Sequence, residues 1–350
     1  MQQGVIHALL AAILFGASAP LAKTLLGEIA PVMLAALLYP GSGIGLFAWY
    51  GWRALAAAES GLRADRLTRR DWPWLLGATG FGGILGPILL MVGLAGTPAS
   101  SASLLLNTEG VFTAALAWFA FKENFDRRIF VGMLLIVGGS VVLNWPSSKL
   151  AGIPWSGLAI LGACLCWGID NNLTRRISAS DAVQIAAVKG LVAGCVNLAL
   201  ALALGQALPP PGAGLAAGLV GFCSYGLSLV LFVLALRHLG TARTGAYFSV
   251  GPFIGAALSL LMLGETPGAA FWVAAVLMGA GIWLHLTELH EHEHTHEPMA
   301  HAHAHVHDAH HQHAHDFDWD GAEPHAHEHA HPQLTHRHPH APDIHHRHRH

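Results

Sequence analysis

Apolar residues fall in long runs from the start of the chain to residue 287, broken only by short polar stretches. Ten runs can be placed, at 4–26, 30–52, 72–95, 98–121, 128–145, 155–175, 182–204, 212–235, 241–263 and 268–287. Each approaches the roughly 20 residues that a helix needs to cross hydrocarbon. Inside a bilayer the backbone must satisfy its own hydrogen bonds, so runs of this kind predict helices rather than open strands. Only one connection is long, residues 53–71, and it is rich in arginine.

One stretch is written twice. Gly96–Glu123 opens Gly96-Thr97, runs through Val111-Phe112-Thr113-Ala114-Ala115-Leu116 and closes Lys122-Glu123. Gly240–Glu265 opens Gly240-Thr241, runs through Phe253-Ile254-Gly255-Ala256-Ala257-Leu258 and closes Gly264-Glu265. Each copy has a helix-loosening residue near its middle, Gly110 in one and Gly251-Pro252 in the other. Each is followed by a further apolar run with a late glycine, Gly139 or Gly281. Spans one and six match as well: Leu14-Phe15-Gly16 aligns with Cys166-Trp167-Gly168, and Lys23 falls where Arg175 does. A duplicated unit with an odd number of spans must insert its second copy upside down, which sets a binding site at the repeat interface near the midplane. Gly41/Gly45, Gly82/Gly86, Gly190/Gly194, Gly214/Gly218 and Gly251/Gly255 are spaced for close helix approach in lipid.

Composition sharpens this picture. The apolar fraction is 53% and the charged fraction only 11%, a balance that belongs to a polytopic membrane protein rather than to two soluble domains. Histidine is segregated: 23 of the 26 lie at 290–350. Positive charge is segregated too. Arg53, Arg63, Arg66, Arg69, Arg70, Lys122, Arg127, Arg128, Arg175, Arg176, Arg237 and Arg243 lie in one set of loops, against Lys23 and Lys149 in the other. The positive-inside bias then predicts that both termini are cytoplasmic. Met1-Gln2-Gln3 lacks a basic leader region, so the first apolar run is expected to stay as a membrane helix. Cys164, Cys166, Cys195 and Cys223 all sit in apolar runs and read as small packing residues, since Cys164-Leu165-Cys166 has neither redox nor zinc spacing.

With its doubled helix ending in Glu, its ten spans and its inward arginine bias, the chain over residues 4–287 resembles the EamA family of the drug/metabolite transporter superfamily. That resemblance implies an all-α membrane protein. Its ten transmembrane helices would form two inverted five-helix repeats, at 1–146 and 147–288, around a central cavity. It implies movement of small organic metabolites across the cytoplasmic membrane, often outward and without ATP. The absence of a Gly-x-x-x-x-Gly-Lys phosphate loop agrees. No cofactor is required; the partners implied are a small-molecule solute and lipid, a homodimer is compatible, and nucleic acid is not. One departure is Gly110, where the family often has a mid-helix proline; Pro252 keeps it in the second copy.

Ionisable groups in a span are expensive, on the order of 2.5–3.5 kcal/mol at its centre, and mark function by default. Glu109 is the deepest, beside Gly110 near the middle of span four, and reads either as a helix-tying carboxyl or as a group that handles substrate or protons. Ser103 and Asn107, with Ser100, form a polar stripe on the same helix. Span six ends Trp167-Gly168-Ile169-Asp170-Asn171-Asn172, and Lys189 on span seven reaches a similar depth to Asp170, so the two are expected to pair. Trp167, Asn171, Tyr225 and Tyr247 complete the candidate solute-binding set. Glu123 and Glu265, at matching helix ends, read as caps or loop ties.

The segment 289–350 is a different kind of sequence: alternating histidine with interspersed Glu and Asp, unable to bury a core and expected to be a disordered cytoplasmic tail. His301, His303, His305, His307, His325, His327, His329 and His331 offer imidazole nitrogens to Zn²⁺, Ni²⁺, Co²⁺ or Cu²⁺. Three readings of function follow: an exporter of an organic metabolite or drug-like solute, a transition-metal carrier served by the tail, and a membrane-anchored metal buffer. No paired carboxylates, nucleophile elbow or zinc motif in the body points to an enzyme.

Overall fold

The computed structural model describes residues 2–57, 67–121, 127–145, 155–177, 180–287, 291–296, 299–305, 325–331 and 334–339. The chain divides into two units, 1–288 and 289–350. In the first, every described element is helical: α1 (Gln2–Gly16), α2 (Ser18–Leu25), α3 (Pro31–Ala57), α4 (Trp72–Ala78), a π-helical segment Thr79–Leu85, α5 (Gly86–Ala95), α6 (Ala99–Leu105), α7 (Thr108–Phe121), α8 (Arg127–Asn144), α9 (Trp155–Arg175), α10 (Ala182–Ala203), α11 (Pro211–Val220), a second π-helical segment Gly221–Leu227, α12 (Ser228–Phe248), α13 (Gly251–Leu263) and α14 (Ala269–Leu286).

Seven of the described stretches are long and apolar enough to cross a membrane: 3–25, 31–51, 72–95, 99–119, 127–144, 182–203 and 211–235. Gly251–Leu263 and Ala269–His285 are shorter apolar helices. The helix α9 has crossing length, with 21 residues, but carries Asp170, Asn171, Asn172 and Arg175. The sequence pattern merged α12 and α13 differently. It began the ninth run at residue 241, whereas the helix from span eight continues to Phe248 and a new one starts at Gly251.

Several crossings are broken, and the sequence says where. At the α1–α2 junction Ala17 forms a turn ahead of Pro20. Between α6 and α7 the i→i+3 bonds Leu106 N–H to Ser103, Asn107 N–H to Leu104 and Glu109 N–H to Leu106 tighten the chain, just before Gly110. Between α12 and α13 the break falls just before Gly251-Pro252, and proline takes a first-turn position where no N–H is needed. The two π segments occupy matching places in the two halves, each seven residues long. The first has a chemical cause. Pro87 has no N–H to return to the carbonyls of Gly82 or Gly83, so both are left for side chains to claim.

Helices pair across the halves. The helix α3 packs on α10, α8 on α14, α6 on α13, α1 on α12 and α5 on α9. Counted by whole spans rather than by single helices, exchanging the two halves leaves this set of pairs unchanged. Close approach rests on glycine where no side chain fits. A Cβ at Gly190 would strike the backbone of Gly43 and the carbonyl of Tyr39, and one at Gly41 the backbone of Gly218. Between apolar helices in lipid, dispersion contact of this kind replaces the hydrophobic effect. Cys164 and Cys166 are buried as the sequence implied, but Cys195 is exposed rather than packed, and all four thiols are free.

The second unit is described only in four short segments. Its described residues form β1 (Glu291–His296), β2 (Met299–His305), β3 (His325–His331) and β4 (Leu334–Pro339). β1 pairs with β4 and β2 with β3, both antiparallel. The His-x-His alternation that excludes a core has the two-residue period of a strand. His301, His303 and His305 stand opposite His329, His327 and His325, and His331 opposite Met299; His307 lies outside the described residues.

Replacing Gly190 by Leu forces α3 and α10 apart and should cost roughly 1–3 kcal/mol or more by overpacking. Gly138 has open space where a Cβ would go, so Gly138→Leu should leave thermal unfolding of the purified protein near that of the parent.

Candidate functional site

The widened turn at Thr79–Leu85 organises the middle of the bundle. The Gly82 carbonyl accepts the Tyr39 hydroxyl at 2.8 Å and the Trp167 indole N–H at 3.0 Å. The Gly83 carbonyl accepts the Asn197 amide at 3.0 Å. Three helices are thus tied to one strip of free backbone, which fixes the rings of Tyr39 and Trp167. Gly82 has a second role, since a Cβ there would fall on the Asp170 carboxylate.

Asp170 and Lys189 are both buried and form the pair expected from their depth on α9 and α10. Lys189 Nζ donates to Oδ1 at 2.6 Å and to Oδ2 at 2.7 Å, and the Thr174 hydroxyl adds a bond to Oδ1 at 2.8 Å. A buried ion pair needs further polar partners to hold, and here the Thr174 hydroxyl supplies a third bond to the carboxylate. Glu109 is different. It accepts from Asn171 Nδ2 at 2.8 Å, and among the described residues no cation lies within ion-pairing distance of it. The Asn171 amide also reaches the Thr113 hydroxyl at 3.2 Å, and Asn172 bonds the Thr113 carbonyl at 3.1 Å, so α9 is stitched to α7 at the level of Glu109.

These groups surround one cavity lined by helices of both halves. Of the residues singled out in the sequence, Glu109, Trp167, Asp170, Asn171, Lys189 and Tyr225 line it. Ser103, Asn107 and Tyr247 do not. Ser103 and Asn107 are buried between helices on another side of the crossing, Asn107 lying roughly 200° round from Glu109 at about 100° per residue. Asn107 spends its amide on the Leu104 carbonyl at 3.1 Å.

Sequence reasoning named Trp167 and Tyr225 but missed the rest of the aromatic wall. Phe15 stands at the centre, 5.9 Å from Trp167 and 6.2 Å from Tyr225 in edge contacts and 5.2 Å from Phe248. Tyr39 lies 5.6 Å from Tyr225, and Phe232 lies 4.9 Å from Phe248. Ser42, Ser224 and Ser228 supply the remaining hydroxyls. Phe15 was within reach of the repeat alignment, since it is the counterpart of Trp167. Tyr39, Phe232 and Phe248 carry no such signal, being aromatic residues in apolar runs.

Chemically, the site offers one carboxyl with an amide partner, one neutralised ion pair and a half-shell of aromatic faces. That combination suits a small organic solute with an apolar body and a polar or positively charged head, because carboxylate and ring faces both attract cations. A metal ion finds no such place here: among the described residues no group of three or more His, Cys, Asp or Glu side chains converges. The tail histidines named above, His307 apart, are strand positions whose side chains lie outside that description.

Comparison with known proteins agrees with this architecture. The model of the EamA-like transporter family matches twice, over residues 2–145 and 154–287. An uncharacterized transporter from Methanothermobacter thermautotrophicus is 31% identical over 296 residues, spanning 80% of this chain and 85% of its own. A probable terminal-alkyne amino-acid exporter from Streptantibioticus cattleyicolor is 27% identical over 236 residues, 66% of this chain and 78% of its own. A solved crystal structure superimposes with a TM-score of 0.60 at 20% identity, covering 80% of this chain and 94% of that one, which speaks to the fold alone. With a doubled family match across nearly all of its helical unit, this chain belongs to the EamA-like transporter family.

Proposed function

We propose that the protein is a secondary carrier that exports a small organic metabolite across the cytoplasmic membrane through the cavity around Glu109. The observation that carries this reading is the Glu109 carboxyl itself. It stands in a cavity enclosed by helices of both halves, held by the Asn171 amide and by no cation among the described residues. A membrane protein that needed a carboxyl only for packing would gain by neutralising it, as it does with Asp170 and Lys189. Left open, the carboxyl receives the polar head of the solute, or a proton in its place, while Trp167, Tyr225 and the other rings take the apolar body.

In this reading the halves are inverted repeats of five spans, and both termini are cytoplasmic. The exchange-invariant helix pairing and the matched π segments support the first point; the arginine distribution supports the second. The outward direction and an amino-acid-like solute follow the named exporter among the relatives. The tail at 289–350 is an accessory in this account.

Comparing metabolites retained by cells with and without the gene, by mass spectrometry, should reveal one solute class depleted by the protein. In proteoliposomes loaded with that solute, Glu109→Gln should reduce efflux by about tenfold or more, the loss expected when a direct charged contact goes, and flatten its dependence on pH. Unchanged efflux with an intact pH profile would remove Glu109 from the mechanism.

Lys189→Met leaves Asp170 buried without its partner and should destabilise the protein by roughly 3–5 kcal/mol. Adding Asp170→Asn to that variant should recover most of the loss in a thermal melt, and efflux with it. Truncation after residue 288 should leave efflux of the organic solute unchanged; a loss of flux, or a flux of Zn²⁺ or Ni²⁺ that disappears with the tail, would favour the metal-carrier reading.

A further inference from the structure

The body holds a second line of polar atoms, outside the cavity, that the packing leaves unanswered. The hydroxyls of Thr97, Ser100 and Ser103, and that of Ser18 facing them from α2, are buried and make no hydrogen bond of standard geometry. Ser18 has as its neighbour the Tyr225 hydroxyl of the cavity wall. Buried hydroxyls are nearly always bonded, to protein or to water, so four along one seam call for an explanation. The seam is where α2, α6 and α13 pack on one another.

Two barriers bound it. Toward the cavity, α1 and α13 touch backbone to backbone immediately beyond Phe15. A Cβ at Gly16 would meet the Gly251 carbonyl, and one at Gly255 would meet the Gly16 carbonyl and Ser103. At the other end, a single turn is clamped from two helices. Lys23, at the end of α2, donates to the carbonyls of Leu94, Ala95 and Thr97 at 2.6, 3.2 and 2.9 Å. Glu265, just past α13, accepts the amides of Ala99 and Ser100 at 2.7 and 2.9 Å. The cation satisfies the carbonyls that close α5 and the anion satisfies the amides that open α6, each complementing a helix end.

We infer that this seam is the second half of the solute path, shut in this state, with Ser18, Ser100 and Ser103 as its lining and the Lys23–Glu265 clamp as its latch. The inference rests on the carrier reading above. The repeat alignment gives it a separate support. Aligning Gly16 with Gly168 sets Ser18 against Asp170, and aligning Gly96 with Gly240 sets Leu104 against Phe248, with Ser103 beside it. Asp170 and Phe248 line the open cavity. When two repeats exchange conformations, the counterparts of lining residues become the lining of the opposite opening. The buried hydroxyls of the seam then meet water and solute, which accounts for polar residues where apolar ones would pack at no cost.

The test is thiol accessibility in membrane vesicles of both orientations, with a membrane-impermeant maleimide, in the full chain after replacing Cys164, Cys166, Cys195 and Cys223 by Ala. Ser224→Cys, in the cavity, reports on the carrier reading and should label from the cytoplasmic face. Ser103→Cys and Ser18→Cys should label slowly from either face in that background. Combined with Lys23→Met or Glu265→Gln, they should label from the opposite face at least about tenfold faster, because loss of charge-assisted bonds made only in the shut state shifts the population toward the open one. Retained Ser224→Cys labelling in each latch variant shows that the fold survives. If Ser224→Cys labels and the two seam cysteines stay unreactive in both latch variants, the path inference fails while the carrier reading stands. If Ser224→Cys reacts from neither face, the carrier reading itself fails.

Discussion

A carboxylate and an ammonium sit less than 3 Å apart in the middle of an apolar bundle, and the arrangement of the helices around them follows from the need to keep them there. Both side chains are buried, so each charge must be answered mainly by the other and by fixed dipoles. Lys189 answers both Asp170 oxygens and Thr174 adds a third bond. The carboxylate also needs room, which Gly82 provides by having no Cβ. The same turn, opened into a π segment by Pro87, offers its carbonyls to Tyr39, Trp167 and Asn197. One interaction thereby fixes the mutual position of α3, α9, α10 and the third crossing, and the cavity is the space these elements leave.

That space is bounded by discontinuities rather than by regular helix. The breaks at Ala17, at Leu106–Asn107 and at Ser249–Val250 lie close to Phe15, Glu109 and Phe248, all lining residues. Irregular backbone at membrane depth is tolerated where it borders a cavity or is buried in protein. Each break also divides a crossing into two short helices that can tilt separately. The breaks at Leu106–Asn107 and Ser249–Val250 fall at matching places in the two halves, as do the π segments, whereas the break at Ala17 has no counterpart in α9, which runs unbroken from Trp155 to Arg175.

Much of this was legible in the residues. The doubled stretch predicted the two-unit plan, Gly110 and Gly251-Pro252 marked the breaks within a few residues, and the depths of Asp170 and Lys189 predicted their pairing. Glu265 proved to be the loop tie its position implied, while Glu123 lies outside the described residues. Other features were hidden for physical reasons. Periodicity marks a polar stripe without saying what the stripe meets, so Ser103 and Asn107 were assigned to the cavity although they are buried between helices. Aromatic residues in an apolar run look alike whether they meet lipid, core or solute, and so Phe15, Tyr39, Phe232 and Phe248 went unmarked.

The central claim is that the solute is carried between Glu109 and the aromatic wall. The most direct measurement is a structure determined with the exported solute bound. The account predicts ligand density within hydrogen-bonding distance of the Glu109 carboxyl and in contact with Trp167 and Tyr225. Density seated elsewhere, with this cavity filled only by water, would contradict it.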